Sequence, residues 1–358
     1  MVAVDCNGAD RGPAEVAAGA TIAAHEDGVR TILFGPADRL RPVLEDMHDG
    51  MIEVVDAPVS IAKHADPARA ARTHADASIV RAARAVSAGR AQALVCAGGT
   101  GAALAAGLFN IRRARGIHRP ALALPLPVPG RAGGHTTVIL LDVGANAQAR
   151  AEHLEQFAFM GAALAQMVLG VEHPRVGLLS NGEEAERGGP LVREAHARLR
   201  ARVEAAGPAA FELVGNVEGG DLMSGIADVI VTDGLTGNIA LKTIEGVSQT
   251  LLHTIRDAAM STTRARLGGL LLRPALGGLR AEIDPEAQGG AYLLGLRRLG
   301  VVPHGGFGRR GFAQAILRAR QGAHEDLIGR THAALEEAGA LRRAPASARV
   351  ASLPTNDA

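Results

Sequence analysis

The chain has no tryptophan, one tyrosine (Tyr292) and seven phenylalanines among 358 residues. Almost no aromatic surface is left on which bases could stack, so single-stranded nucleic acid is excluded as a ligand class. Thirty-eight Lys plus Arg against 37 Asp plus Glu give a net charge of +1, which excludes a general DNA-binding surface. The two cysteines, Cys6 and Cys96, form neither a disulfide framework nor a zinc site. Each follows a strand-like run and reads as a small buried residue in a reducing cytoplasm. The thirteen histidines lack metal-ligand spacing. There is no dinucleotide fingerprint, Walker A loop, Gly-x-Ser-x-Gly elbow or His-Glu-x-x-His, so neither a metal nor a cofactor is expected. The chain opens on Val2-Ala3-Val4 instead of a basic and then apolar leader, so no signal peptide is expected. Residues 91–111 are uncharged and long enough to raise a membrane span. Gln92, Gly98-Gly99-Thr100-Gly101 and Asn110 argue instead for a buried strand, turn and helix. Lysine is also scarce: Lys63 and Lys242 are the only two.

Glycine, by contrast, is abundant: 45 residues, well above the usual share of about 7 %. The glycines punctuate a recurring grammar. Strand-like runs fall at Val2–Val4, Thr31–Phe34, Ala93–Val95, Thr137–Leu141, Val176–Leu179, Phe211–Val214 and Val229–Val231. Helical stretches at 13–25, 68–88, 101–114, 152–169, 190–205 and 238–258 separate many of them. Near-continuous apolar strands alternating with helices predict an α/β fold, a parallel sheet covered on both faces. Most strands end in a polar, glycine-rich turn: Asp5-Cys6-Asn7-Gly8, Cys96 to Gly101, Asp142 to Asn146, Ser180 to Glu184, Gly215 to Gly219 and Asp233-Gly234. In a parallel sheet such turns converge on one edge, where ligands bind. The stretch from Asp228 to Gly246 condenses the pattern. A β-branched run breaks at Asp233-Gly234, and a helix begins after Gly237-Asn238 with Lys242 one turn in. Strand, glycine turn and helix aim unpartnered N–H groups at an anion. Lys242 is read either as the amine that meets that anion or as an ordinary surface lysine.

Two stretches depart from this grammar. In residues 259–284, Leu270-Leu271-Leu272 is flanked by Arg264, Arg266, Arg273 and Arg280. That composition suits a membrane surface or an acidic partner, and equally a helical hairpin in a subunit interface. From about 343 onward the composition is that of a disordered tail.

Several motifs occur in order: Asp5-Cys6-Asn7-Gly8-Ala9-Asp10, Gly98-Gly99-Thr100-Gly101-Ala102, Asp142-Val143-Gly144-Ala145-Asn146 with Glu152-His153-Leu154, Gly182-Glu183-Glu184, Gly215-Asn216-Val217-Glu218-Gly219, Asp233-Gly234-x-x-Gly237-Asn238-x-Ala240-Leu241-Lys242, and Gly289-Gly290-Ala291 to His304-Gly305. On these the chain resembles the bacterial phosphate acyltransferases of phospholipid synthesis, over roughly residues 1–320. The resemblance implies a Rossmann-like three-layer α/β/α sandwich with a mostly parallel sheet and a helical hairpin around 250–284. It implies one domain over 1–330, followed over 331–358 by a C-terminal helix and the tail. It also implies transfer of a fatty acyl group from acyl carrier protein to inorganic phosphate without a cofactor, by a cytoplasmic homodimer in peripheral contact with the membrane. A glycerol-phosphate acyltransferase would follow downstream. An Arg-rich surface including Arg256, Arg264, Arg266 and Arg273 is the expected dock for the acidic carrier.

Carried onto this chain, Lys242, Arg187, Asn238 and His304 take catalytic roles, His304 as proton donor or acceptor. Asp5, Asn7, Gly8, Gly98, Gly99, Thr100, Gly101, Asp142, Asn146, Glu183, Asn216, Asp233 and Gly234 line the phosphate and substrate cleft, although Asp142 and Asp233 also read as turn caps. Phosphate oxygen is itself the nucleophile, so positioning and charge neutralisation carry the reaction. The chain departs from the family pattern at Ala9, Cys96 and Gly99, at Gln148, at Ala185, Arg187 and Gly189, and at Gly306-Phe307. Cys96 before a helix start raises a thiol nucleophile. The altered loops raise a diverged paralogue with another acyl donor or acceptor, or a non-catalytic regulator that binds the carrier.

Overall fold

The chain's structure is a computed structural model, which describes residues 1–44, 50–128, 137–206, 211–282 and 284–342. Among the described residues, short apolar runs, almost fully buried except at the two edges of the sheet, pair into one sheet of eleven strands. These are β1 (Val2–Asp5), β2 (Thr31–Gly35), β3 (Ile52–Asp56), β4 (Ala93–Cys96), β5 (Ala121–Pro127), β6 (Thr137–Leu141), β7 (Arg175–Ser180), β8 (Glu212–Glu218), β9 (Val229–Val231), β10 (Ala291–Leu294) and β11 (Leu299–Val302). Their spatial order is β3-β2-β1-β4-β11-β10-β5-β6-β9-β7-β8.

Helices cover both faces: α1 (Pro13–Asp27), α2 (Ala37–Leu40), α3 (Pro67–Thr73), α4 (Ser78–Ser87), α5 (Thr100–Ala106), α6 (Ala151–Val168), α7 (Pro190–Ala206), α8 (Gly234–Met260), α9 (Thr263–Glu282), α10 (Pro285–Gln288), α11 (Arg309–His324) and α12 (Leu327–Glu337). One core packs α1, α6, α7, α11 and α12 on the sheet through Val16, Phe157, Leu199, Phe312 and Leu335. The other packs α3, α4, α5 and the first half of α8 through Ala70, Ile79, Ala102 and Leu241. This is the expected three-layer α/β/α sandwich with a mostly parallel sheet.

The direction of the strands corrects one expectation. β3, β2, β1, β4 and β11 run parallel, but β10 is antiparallel to both β11 and β5, and β6 is antiparallel to β5. β9, β7 and β8 then follow β6. The carboxyl ends of β1 and β4 therefore lie on one edge of the sheet, and those of β6, β7, β8 and β9 lie on the other. The six polar turns do not converge; they form two groups.

Boundaries differ as well. The stretch read as one helix over 68–88 is α3 and α4, broken at His74–Ala77. α8 begins at Gly234, not after Asn238, so Lys242 stands more than two turns into it. With 27 residues α8 is about 40 Å long. Ala240, Leu241 and Ile244 pack against the sheet, while Val247, Leu251, Leu252, Ile255 and Met260 are exposed. α9 folds back on α8, Gly269 lying against Ala259, and exposes Leu267, Leu270, Leu271 and Leu272. This is the helical hairpin anticipated at 250–284. Among the described residues no helix is long and apolar enough to cross a membrane. At the other end of the chain, Gln156 of α6 donates to Gly116 O and Ala340 O, both at 2.9 Å. The tail from 343 lies outside the described residues.

Phe157, wholly buried near the centre of α6, anchors that helix in the core it shares with the sheet, α7 and α12. Phe157→Ala is expected to cost about 3–5 kcal/mol of unfolding free energy. Urea denaturation of the two proteins measures it, and a difference below 1 kcal/mol, roughly the cost of an exposed change, contradicts this anchoring role.

Candidate active site

On the first edge the β1 and β4 turns press together. A Cβ placed on Gly8 would stand 2.1 Å from Ala97 O, and one on Gly98 2.4 Å from Gly8 O. Only backbone fits there, and Gly98 also takes φ +133°, a conformation side chains resist. Gly99 sits as closely on Ala62 O. Asn7 donates from Nδ2 to Ala57 O at 2.8 Å, tying in the loop after β3. α5 starts at Thr100, and no side chain caps it. Its first N–H groups have no partner within the helix. Lys63 overlooks this group from the loop after β3, paired at 3.3 Å with Asp10, whose N–H donates to Gly305 O. His304 is exposed beside it, and its Nδ1 accepts from Gly306 N at 3.1 Å. With Nδ1 occupied, neutral His304 carries its proton on Nε2, which makes it a donor. Asn7, Gly8, Gly98, Gly99, Thr100, Gly101 and His304 are thus brought together. Lys63, marked in the sequence only by the rarity of lysine, joins them together with Asp10, the last residue of the first motif.

Asp5 does not touch this surface. It is 2 % exposed and lies beneath it, its Oδ1 accepting from Asn7 N at 3.2 Å. Cys96, at 1 %, is buried beside it, and burial pushes its thiol well above the usual range. That overturns the thiol-nucleophile reading: the thiolate is disfavoured and nothing can reach it.

The second edge holds the remaining residues. Asp142, fully buried, accepts from Leu122 N, Gly144 N, Ala145 N, Asn146 N and Asn146 Nδ2 at 2.8–3.2 Å. Burial still raises its pKa despite these donors. Asn146 also donates to Pro120 O at 2.7 Å, and its carbonyl accepts from Gly234 N at 2.8 Å. Asp142 and Asn146 therefore build the turn and are closed to a ligand. Asp233 accepts from Leu235 N and Thr236 N, both at 3.0 Å, and from the Thr236 hydroxyl at 2.6 Å, while Gly237 N donates to Asp233 O. The first four N–H groups of α8 are consequently all taken within the chain. The anion-binding helix start expected here is self-capped; the uncapped one is α5.

Asn238 remains exposed, alongside Gly144, and Lys242 pairs with Glu245 at 2.7 Å on the open face of α8. Arg187 is exposed and paired with Glu184 at 3.2 Å, with Glu183 exposed nearby. Asn216 is 6 % exposed; its Nδ2 donates to Glu184 O at 2.7 Å, and its Oδ1 is buried without a partner among the described residues. A cavity of about 290 Å³ opens between the α7 and α8 starts, lined by Leu179, Ser180, Asn181, Leu191, Asp233 and Thr236. Ser180, Asn181 and Thr236 belong to turns the sequence singles out, but nothing in the sequence marks them individually.

The fold also gathers a group that sequence spacing hides. His118, Glu152 and His153 bring ligand atoms within 4.8 Å of one another. His153 Nδ1 accepts from Arg150 N, burial lowers both histidine pKa values, and Arg113, Arg119, Arg150, Arg198 and Arg342 surround the pair. That positive setting opposes a cation.

The family model described as "Fatty acid synthesis protein" matches residues 1–330. A phosphate acyltransferase from Geobacillus thermodenitrificans is 39% identical over 336 residues, covering 94% of this chain and 98% of that protein. One from Heliobacterium modesticaldum is 42% identical over 330 residues, covering 91% and 95%. Among solved structures, a phosphotransacetylase from Streptococcus pyogenes superposes with a TM-score of 0.58 at 17% identity, covering 91% of this chain and 94% of that one. The EutD phosphotransacetylase from Staphylococcus aureus gives 0.56 at 16%, covering 90% and 94%. At these identities the structures speak for the fold alone. The sequence relatives make the chain an enzyme, an acyltransferase. It belongs to the phosphate acyltransferase family.

If Asp142 is a structural hub, Asp142→Ala strands several buried donors at about 1–3 kcal/mol each and lowers stability by about 3 kcal/mol or more. Thermal and chemical melting measure this, and an unchanged midpoint with lost turnover would return Asp142 to the substrate.

Proposed function

We propose that the chain transfers a fatty acyl group from acyl carrier protein to inorganic phosphate, giving an acyl phosphate for phospholipid synthesis. The observation that carries this reading is the uncapped start of α5, set in a cradle of touching glycines with Asn7, Lys63 and His304 beside it. Unpartnered N–H groups at a helix start suit a phosphate. Phosphate held there attacks the thioester carbonyl: the C–O bond forms, the C–S bond breaks, and the proton of the hydrogen phosphate ends on the departing thiolate. No protein nucleophile is needed. His304 Nε2–H donates to the oxyanion of the tetrahedral intermediate, the kind of preorganised donor worth about 10²–10³ in rate.

Lys242, Asn238 and Arg187 enter this reading from a second copy of the chain. Within one protomer they lie on the opposite edge of the sheet. β4 and β9 are also five strand steps apart, about 24 Å at about 4.8 Å per step. The exposed apolar residues of α8 and α9 supply the surface for a homodimer, and their outer part supplies a peripheral membrane contact. Arg256, Arg264 and Arg266 are exposed on the same hairpin, where an acidic carrier protein would dock; the side chains of Arg273 and Arg280 lie outside the described part. A downstream glycerol-phosphate acyltransferase is the consumer of the product.

Incubation with long-chain acyl carrier protein and phosphate is expected to yield acyl phosphate. Carrier binding without product at any chain length sinks this reading and favours a non-catalytic regulator. Lys242→Ala and Asn7→Ala are each expected to lose about 10²-fold or more in turnover with the fold intact. Co-refolding the two inactive variants should restore turnover that neither has alone. If the mixture stays as inactive as its components, the shared site is wrong.

A further inference from the structure

Beneath the two touching turns lies a buried carboxyl group that the transfer chemistry does not use. Asp5 ends β1, in register with Phe34 of β2 and Cys96 of β4. Its Oδ1 accepts from Asn7 N at 3.2 Å, its Oδ2 lies 3.6 Å from Cys96 Sγ, and the Ser78 side chain at the start of α4 bonds it as well. Its own carbonyl accepts from Ala97 N at 3.1 Å. One side chain thereby reaches the turn after β1, the turn after β4 and the start of α4. The two turns in question are those whose backbones meet at Gly8 and Gly98, directly before the uncapped start of α5.

A carboxylate only accepts hydrogen bonds, and around Asp5 the backbone N–H of Asn7, the thiol and the hydroxyl are all donors. Protonation turns one oxygen into a donor, so the hydroxyl or the thiol must reverse its role, and the grip on the Asn7 N–H, which can only donate, weakens. We propose that Asp5 is a positioning residue for the phosphate cradle: its ionised carboxylate, gripping Asn7 N–H, Cys96 and Ser78, fixes how the Asn7-Gly8 and Gly98-Gly99 turns abut. This rests on the reading of that cradle as the phosphate site.

The ionised form has a cost. Burial pushes the pKa of Asp5 up to about 6, the hydrogen bonds opposing it only in part. An acid whose folded pKa lies above its unfolded value favours the fold when protonated, and that contribution is lost as pH rises through about 6. At neutral pH the chain therefore holds a carboxylate that works against its own stability. The titratable groups facing it are Cys96 on β4 and Cys6 next in sequence, both thiols pushed well up by burial and so neutral. Phe34 and Ser78, from β2 and α4, do not titrate in this range.

Stability and function are thus expected to part company at this residue, which a purely structural group would not do. Asp5→Asn keeps the shape and removes the charge. It should melt no lower than wild type above pH 6, yet raise the KM for phosphate by about tenfold, the worth of one good hydrogen bond. The KM for the acyl donor should stay the same. In wild type the KM for phosphate should climb as pH falls through about 6, a limb absent from D5N. Ionisation of phosphate is common to both proteins and cancels in the ratio of their profiles. Should D5N fail to fold, Ser78→Ala removes one donor without altering charge, and it should move the acid limb to higher pH. An active wild type whose phosphate KM and acid limb are shared by D5N, or by S78A where D5N cannot be purified, overturns the role of Asp5 alone. A wild type that neither makes acyl phosphate nor binds phosphate in calorimetry overturns the cradle and the role of Asp5 together.

Discussion

The pairing of β5 with β6 decides the layout of this molecule. Because the two run antiparallel, every strand beyond them points opposite to β1 and β4. The chain thus carries two sets of strand ends on opposite edges of one continuous sheet. α8 leaves the second edge and runs back along the sheet, so a helix of this length must overshoot it. The projecting hairpin and its bare apolar side chains follow from the length of α8.

The two helix starts at these edges have opposite electrostatics although their sequences look alike. Asp233 places a carboxylate on the α8 start, satisfies its N–H groups and neutralises the positive end of the helix dipole. Gly99 gives α5 no side chain at all, so donors and dipole stay available. A departure from the usual family residue falls at this same Gly99, so the cradle here relies on backbone where a side chain would otherwise contribute. Asn7, anchored to Ala57 O, and the Lys63–Asp10 pair are then the polar side chains nearest to hand.

Much of the fold was legible because β1, β2, β4, β6, β7 and β9 are nearly uninterrupted apolar runs. The strands that were missed explain why polarity was not. β5 reads Ala-Leu-Ala-Leu-Pro-Leu-Pro, and two prolines argue against a central strand. They are tolerated because β10 pairs only with residues 121–123, leaving the proline end of β5 free on that side. β10 and β11 are short, and the turn between them holds Gly295, Arg297 and Arg298, so they do not announce themselves as strands. Without β5 and β10 the sheet appears uniformly parallel, and all six turns seem to meet. The site was legible as residue types at strand ends. Which carboxylates face solvent was not, because Asp5, Asp142 and Asp233 occupy equivalent sequence contexts. Only the fold shows Asp142 filled by five donors and Asp233 turned onto its own helix.

An acyl phosphate is an activated acyl group, and amines are the side chains it most readily modifies. This chain carries 38 basic residues yet only two lysine amines, Lys63 and Lys242. Both are ion-paired, with Asp10 and with Glu245, so each amine is held against a carboxylate. Guanidinium groups, always charged, perform the rest of the surface's electrostatic work without offering a nucleophile. An enzyme that releases such a product at its own surface has in this way left it almost nothing on itself to acylate.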